Sequence, residues 1–180
     1  MVKRIALIII LIMFGLSGCS TTKVWTSMPQ IQAIENPYYK ARFEPLKKND
    51  AFFVSFRLVV DNRTSTDLKI DWNKTRYLLN GRAHGGFVFK GIDREKIKKL
   101  EIPDDIVFSG ETFSKEISPY TMLARAPIRT KQRSEGEKAI QSGILPEGEN
   151  GILLVIRKNG DEIRERITVD IEAVQKWKWF

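Results

Sequence analysis

An antiparallel β-sandwich is the fold class that this sequence predicts, on three observations. Phe52, Val54, Phe56, Leu58 and Val60 alternate with Phe53, Ser55, Arg57, Val59 and Asp61, the two-residue period of a strand with one apolar face. A second alternating run sets Ile163, Ile167, Val169 and Ile171 against Arg164, Arg166, Thr168 and Asp170, directly after Asn159-Gly160, a strong hairpin turn. About seven short strands with turn signals between them fill the region, which is the spacing of an all-β sandwich.

The elements follow in chain order. Residues 1–18 carry Lys3 and Arg4, an apolar run from Ile5 to Leu16 and the small pair Ser17-Gly18. A charged start, an apolar middle and small residues before a cut form a secretory signal, and the run is short of the roughly 20 residues that span a bilayer. Residues 19–36 show no sustained alternation and include Pro29, which suits a tether ahead of a domain at 37–180.

Within that domain, Asn62 to Asp67 is all polar, and Leu68, Ile70 and Trp72 then alternate with Lys69, Asp71 and Asn73. This predicts an antiparallel pair across the polar turn. Thr75 to Leu79 ends at Asn80-Gly81, and Phe87-Val88-Phe89 follows His84-Gly85-Gly86, which predicts a hairpin with a Gly-rich connection. Asp93 to Leu100 predicts a short helix capped by Asp93, and Ser134 with Glu137 has capping-box spacing for a second at 135–142. Strands resume at Ile106-Val107-Phe108 and at Thr112 to Ile117, around Gly110, and Gly151 to Ile156 is apolar on both parities, as a buried strand is.

Two resemblances rest on these residues. Leu16-Ser17-Gly18-Cys19 resembles the lipobox of bacterial lipoproteins. It implies cleavage before Cys19, a diacylglycerol on the Cys19 thiol and a fatty acyl group on the new amino terminus; the alternative is an ordinary signal peptide with an incidental Cys. Two or more acyl chains anchor a protein stably without a membrane span. Ser20 stands where an Asp would resemble the inner-membrane retention signal, which implies the outer membrane, facing the periplasm, in a cell that has one. The stretch from Tyr38 to Ile171 resembles the immunoglobulin-like domains of uncharacterised bacterial lipoproteins, at Phe56-Arg57-Leu58-Val59-Val60-Asp61-Asn62 and Ile70-Asp71-Trp72-Asn73. That resemblance implies no catalytic residue.

Composition narrows the chemistry. The 180 residues hold one Cys and one His, too few for a disulfide framework or a His/Cys zinc cage. The net charge of +8 falls to +6 when Lys3 and Arg4 leave with the signal, and export separates the protein from nucleic acid. A nucleophilic triad needs His84, but no Gly-x-Ser-x-Gly elbow accompanies it, and His84-Gly85-Gly86 reads as a turn. Asp104-Asp105 offers two carboxylates to a hard cation, against the simpler reading of solvated turn residues. Asn62-Arg63-Thr64 and Asn73-Lys74-Thr75 match the glycosylation sequon and read as turn and strand-end polarity. No cofactor fingerprint and no metal-ligand spacing is evident.

Two segments stand out as contact surfaces. Residues 117–134 contain no acid but carry Arg125, Arg129, Lys131 and Arg133, which suits an anionic glycan, a lipid headgroup or an acidic partner, or else a solvated connection. Lys176-Trp177-Lys178-Trp179-Phe180 suits a membrane interface or a partner, or else closes the end of the sandwich through Trp177 with Phe180 or Trp179. The expectation is therefore a non-enzymatic, lipid-anchored envelope protein that binds a protein partner or has a structural role. An anionic-ligand module using the basic loop is the alternative.

Overall fold

The computed structural model of the chain describes residues 20–49, 51–89, 102–123 and 143–178. The strands are β1 (Ser20–Met28), β2 (Gln32–Glu35), β3 (Tyr39–Lys48), β4 (Phe52–Asn62), β5 (Leu68–Ile70) and β6 (Arg76–Leu79). After them come β7 (Arg82–Ala83), β8 (Phe87–Val88), β9 (Asp105–Val107), β10 (Thr112–Pro119), β11 (Gly148–Lys158) and β12 (Asp161–Lys178). They build two antiparallel sheets packed as a sandwich. One runs β2-β3-β4-β10-β8; the other runs β1-β12-β11-β5-β9, with β6 also on β11 and β7 on β6. Among the described residues the one helical element is a 3-10 turn at Tyr120–Met122. The helices expected at 93–100 and 135–142 lie outside the described residues.

Residues 25–173 form one compact unit, and the described ends 20–24 and 174–178 belong to a second. Strands occupy residues 20–28 and 32–35, where an irregular spacer was expected. Both strands lie at sheet edges, and β2 is nowhere fully buried. An edge strand is held by backbone bonds to one neighbour and needs no apolar alternation, so hydropathy does not reveal it.

The core draws on both sheets. Tyr39, Ala41 and Phe43 of β3 and Phe56, Leu58 and Val60 of β4 meet Tyr77, Ile152, Leu154, Ile167 and Val169. Phe43 and Phe56 stack with centroids 4.3 Å apart. Along β4 the predicted parity holds from Phe56 onward, but Phe53 and Ser55 are the buried residues before it, in place of Phe52 and Val54. Leu46 pairs with Ser55 and Lys47 with Phe53, so Val54 is the extra residue of a β-bulge. A bulge shifts side-chain parity by one, which moves Phe53 to the buried side.

The connections differ more. The pair expected across Asn62–Asp67 does not form: β4 and β5 lie in opposite sheets. Asn62 is buried, and its Nδ2 donates to Thr66 O at 2.9 Å, Val107 O at 2.9 Å and Phe108 O at 3.1 Å. Its Oδ1 accepts from Thr64 N at 2.9 Å and Thr64 Oγ1 at 2.8 Å. A second corner around Gly110, where β9 passes to β10, is tied to the first by Ser109 Oγ donating to Thr64 O at 2.8 Å. The chain therefore turns from sheet to sheet at two adjacent corners joined by one asparagine.

Asn80-Gly81 does make a tight hairpin, with Leu79 opposite Arg82 and positive φ at both turn residues, as the type I′ turn requires. It joins β6 to β7, however, and not to Phe87-Val88. The latter form β8 in the other sheet, beside β10, so Gly85-Gly86 is a crossover. The β11–β12 hairpin is as expected: Lys158 faces Asp161 across Asn159-Gly160, and pairing runs unbroken to Gly148 with Ile171.

Candidate functional site

Most of the residues singled out in the sequence fall where no geometry is described. Leu16, Ser17, Gly18 and Cys19, the basic residues Arg125, Arg129, Lys131 and Arg133, and Trp179 lie outside the described residues. The backbone of Trp177 belongs to β12, which runs to Lys178. His84 is exposed at the end of the β6–β7 hairpin, its N–H donating to Tyr77 O at 2.8 Å and its carbonyl accepting from Thr121 Oγ1 at 3.0 Å. These contacts are those of a turn.

Among the described residues, charged side chains gather around Asp104 and Asp105, a grouping the sequence does not announce as a unit. On β10, Phe113, Lys115 and Ile117 share the inward parity, so Lys115 enters the sandwich between apolar neighbours. Its Nζ sits 3.8 Å from the Phe89 ring centre, 5.6 Å from that of Phe113 and 5.8 Å from that of Trp72. The ammonium donates to Asp105 Oδ2, and Trp72 Nε1 donates to the same oxygen at 2.7 Å. Trp72 is buried and lies 5.2 Å from Phe89. Three rings and a carboxylate thus surround one cation, which joins ion pairing to cation–π attraction.

A second ion pair adjoins the first. Arg157 of β11 donates through Nη2 to Asp104, and its Nε stands 3.6 Å from Asp71 Oδ2. Asp71 is buried, and its Oδ1 accepts from Lys74 N at 3.1 Å. Next along, Asn73 Nδ2 donates to Ile102 O at 2.7 Å, and Ile102 N donates to Asn73 Oδ1 at 3.0 Å. Asp71, Trp72 and Asn73 are therefore bound, in turn, to the segment running back from Asp104 to Ile102. Asp104 and Asp105 are neither a cation site nor freely solvated: each holds its own cation, one from each sheet.

The arrangement resembles a receptor for an alkylammonium group that the chain fills with Lys115. Its effect is to fasten β9, at the sheet edge, to both layers. Among the described residues no group of His, Cys, Asp and Glu is placed to hold a metal ion, and no helix is long and apolar enough to cross a membrane. No family model, curated protein or solved structure matches the chain.

With its start held by Lys115 and Trp72, β9 leaves Ile106 exposed (46%), and Phe108 just beyond it is exposed as well (54%). Among the described residues β9 ends the seven-stranded sheet, with β5 on its other side. A strand that ends a sheet and is flanked by exposed apolar side chains can template a further strand; here Val107 O and Phe108 O already accept from Asn62.

Proposed function

We propose that the chain is a membrane-anchored envelope lipoprotein whose β-sandwich is a non-enzymatic protein-interaction or structural module. Leu16-Ser17-Gly18-Cys19 supports the anchor. The interaction role is carried by one observation, the β9 strand at the end of its sheet with Ile106 and the adjoining Phe108 exposed. Most proteins cover or charge such an edge, because unpaired backbone groups beside apolar side chains recruit another strand. The charges nearby are matched to one another, Lys115 with Asp105 and Arg157 with Asp104, which suits a scaffold better than a reaction centre, where perturbed and unmatched groups gather.

Photo-crosslinking in intact cells tests the reading, with a photoreactive residue replacing Phe108 and, as a control, exposed Ser114 on the interior strand β10. The expected result is a discrete protein adduct from position 108, absent from position 114 and lost when Cys19→Ala releases the protein from the membrane. Equal diffuse labelling from both positions contradicts it.

A further inference from the structure

The box around Lys115 is built as a receptor with its ligand tethered to it. The Lys115 Nζ stands 3.8 Å from the ring centre of Phe89, 5.6 Å from that of Phe113 and 5.8 Å from that of Trp72, all within the roughly 6 Å at which a ring face attracts a cation. Asp105 Oδ2 supplies the remaining wall, accepting from the ammonium and from Trp72 Nε1. Trp72 is buried against Phe89, ring centres 5.2 Å apart, so three of the four walls also hold one another. The box has a solvent side. Lys115 and Asp105 keep 23% and 27% of their side-chain exposure, and among the described residues β8 lies beside β10 only at Ser118 and Pro119, beyond Lys115.

We infer that this box is a binding site for a primary alkylammonium group, which Lys115 fills from within the chain and which a free ammonium fills when that side chain is cut back. The site goes beyond the envelope role proposed above and does not depend on it. A primary ammonium fits because it has N–H groups to donate to Asp105 while its charge faces the rings; a quaternary ammonium has no donor to offer. The length is set as well. Lys115→Ala removes the side chain beyond Cβ, which has the heavy atoms of n-propylammonium.

The test uses the full chain in detergent, unfolded in urea and followed by circular dichroism, with sodium chloride holding the ionic strength equal throughout. A cation held by rings and one carboxylate at a partly wet site has a dissociation constant on the order of 10 mM. At about 100 mM, n-propylammonium therefore lowers the unfolding equilibrium constant of Lys115→Ala about tenfold. The unsubstituted chain, whose box is full, does not respond. With Lys115→Ala, uncharged n-propanol has no effect and tetramethylammonium has less than n-propylammonium; adding Asp105→Asn abolishes the response. If Lys115→Ala is unfolded in sodium chloride alone, folding on addition of n-propylammonium is the same result. No response from Lys115→Ala, or an equal response from the unsubstituted chain or from the variant that also carries Asp105→Asn, overturns the site. A tetramethylammonium effect as large as that of n-propylammonium overturns its assignment to primary ammonium groups.

Discussion

Lys115 of β10 and Asp105 of β9 pair across the two sheets, with Trp72 donating to the same carboxylate oxygen at 2.7 Å. Both side chains retain about a quarter of their exposure, 23% and 27%, so the pair is neither a surface contact nor a dry one. Removing one partner leaves the other charge facing rings and backbone. Lys115→Met and Asp105→Asn each lower unfolding stability by about 1–3 kcal/mol, and the double variant loses less than the sum. Urea midpoints for the four proteins of the cycle provide the check.

Asn62 holds the two corners. Its side chain donates to three carbonyls and accepts from Thr64. Asn62→Ala orphans these groups in a buried place and costs about 2–4 kcal/mol. Asn62→Ser, which restores at most one donor, recovers only part of it. Thermal midpoints measured on both variants decide the order.

Two buried tyrosines differ in their partners. Tyr77 Oη donates to Asn150 Oδ1 at 2.5 Å, whereas Tyr39 Oη has no hydrogen-bond partner among the described residues. Tyr77→Phe strands Asn150 and costs about 1–2 kcal/mol, while Tyr39→Phe is neutral or slightly stabilising. Equal losses by chemical denaturation would contradict the assignment.

Burial raises the Tyr77 phenol above its ordinary range; Tyr39 is raised by burial first and by the Glu165 carboxylate second. Below about pH 10 both phenols are neutral in the folded and unfolded chain, and their contribution to stability is intact. Above it the unfolded phenols ionise while the folded ones stay neutral, so stability falls as pH rises, by up to about 1.4 kcal/mol per pH unit for each tyrosine. Lysines titrate in the same range, so the readout is a difference: Tyr77→Phe flattens the alkaline slope of the urea midpoint relative to the unsubstituted protein.

Gly151 lies opposite Thr168 in the β11–β12 pair, and a Cβ there would stand 2.6 Å from Ile167 O. Backbone must move to admit it. Gly151→Ala costs about 2–4 kcal/mol, more than Gly160→Ala, where the turn φ of +94° is strained but the space is open, at about 1–2 kcal/mol. Unfolding curves of the two alanine variants rank them.

Local patterning made the central strands legible: the Phe56–Val60 alternation, the buried β11 run and the Asn159-Gly160 turn each record a short-range constraint. Which sheet a strand joins does not show in that pattern. Asn62–Asp67 and Gly85-Gly86 read as hairpin links because polar and glycine-rich residues favour turns, but the destination of β5 and β8 depends on Asn62 reaching Val107 and on Pro119 pairing with Phe87. Of the cluster around Lys115, one signal was available. A lysine stands on the apolar parity between Phe113 and Ile117, as Glu165 does between Ile163 and Ile167, and an inward charge requires a partner. Its identity, Asp105, lies in the other sheet.

The mass of the amino-terminal peptide from protein extracted in detergent tests the central claim most directly. The account predicts a chain that begins at Cys19 and carries diacylglycerol with a further acyl group, and a Cys19→Ala protein that lacks them and leaves the membrane fraction. A chain that begins elsewhere, or an unmodified Cys19 in membrane-bound protein, would contradict it.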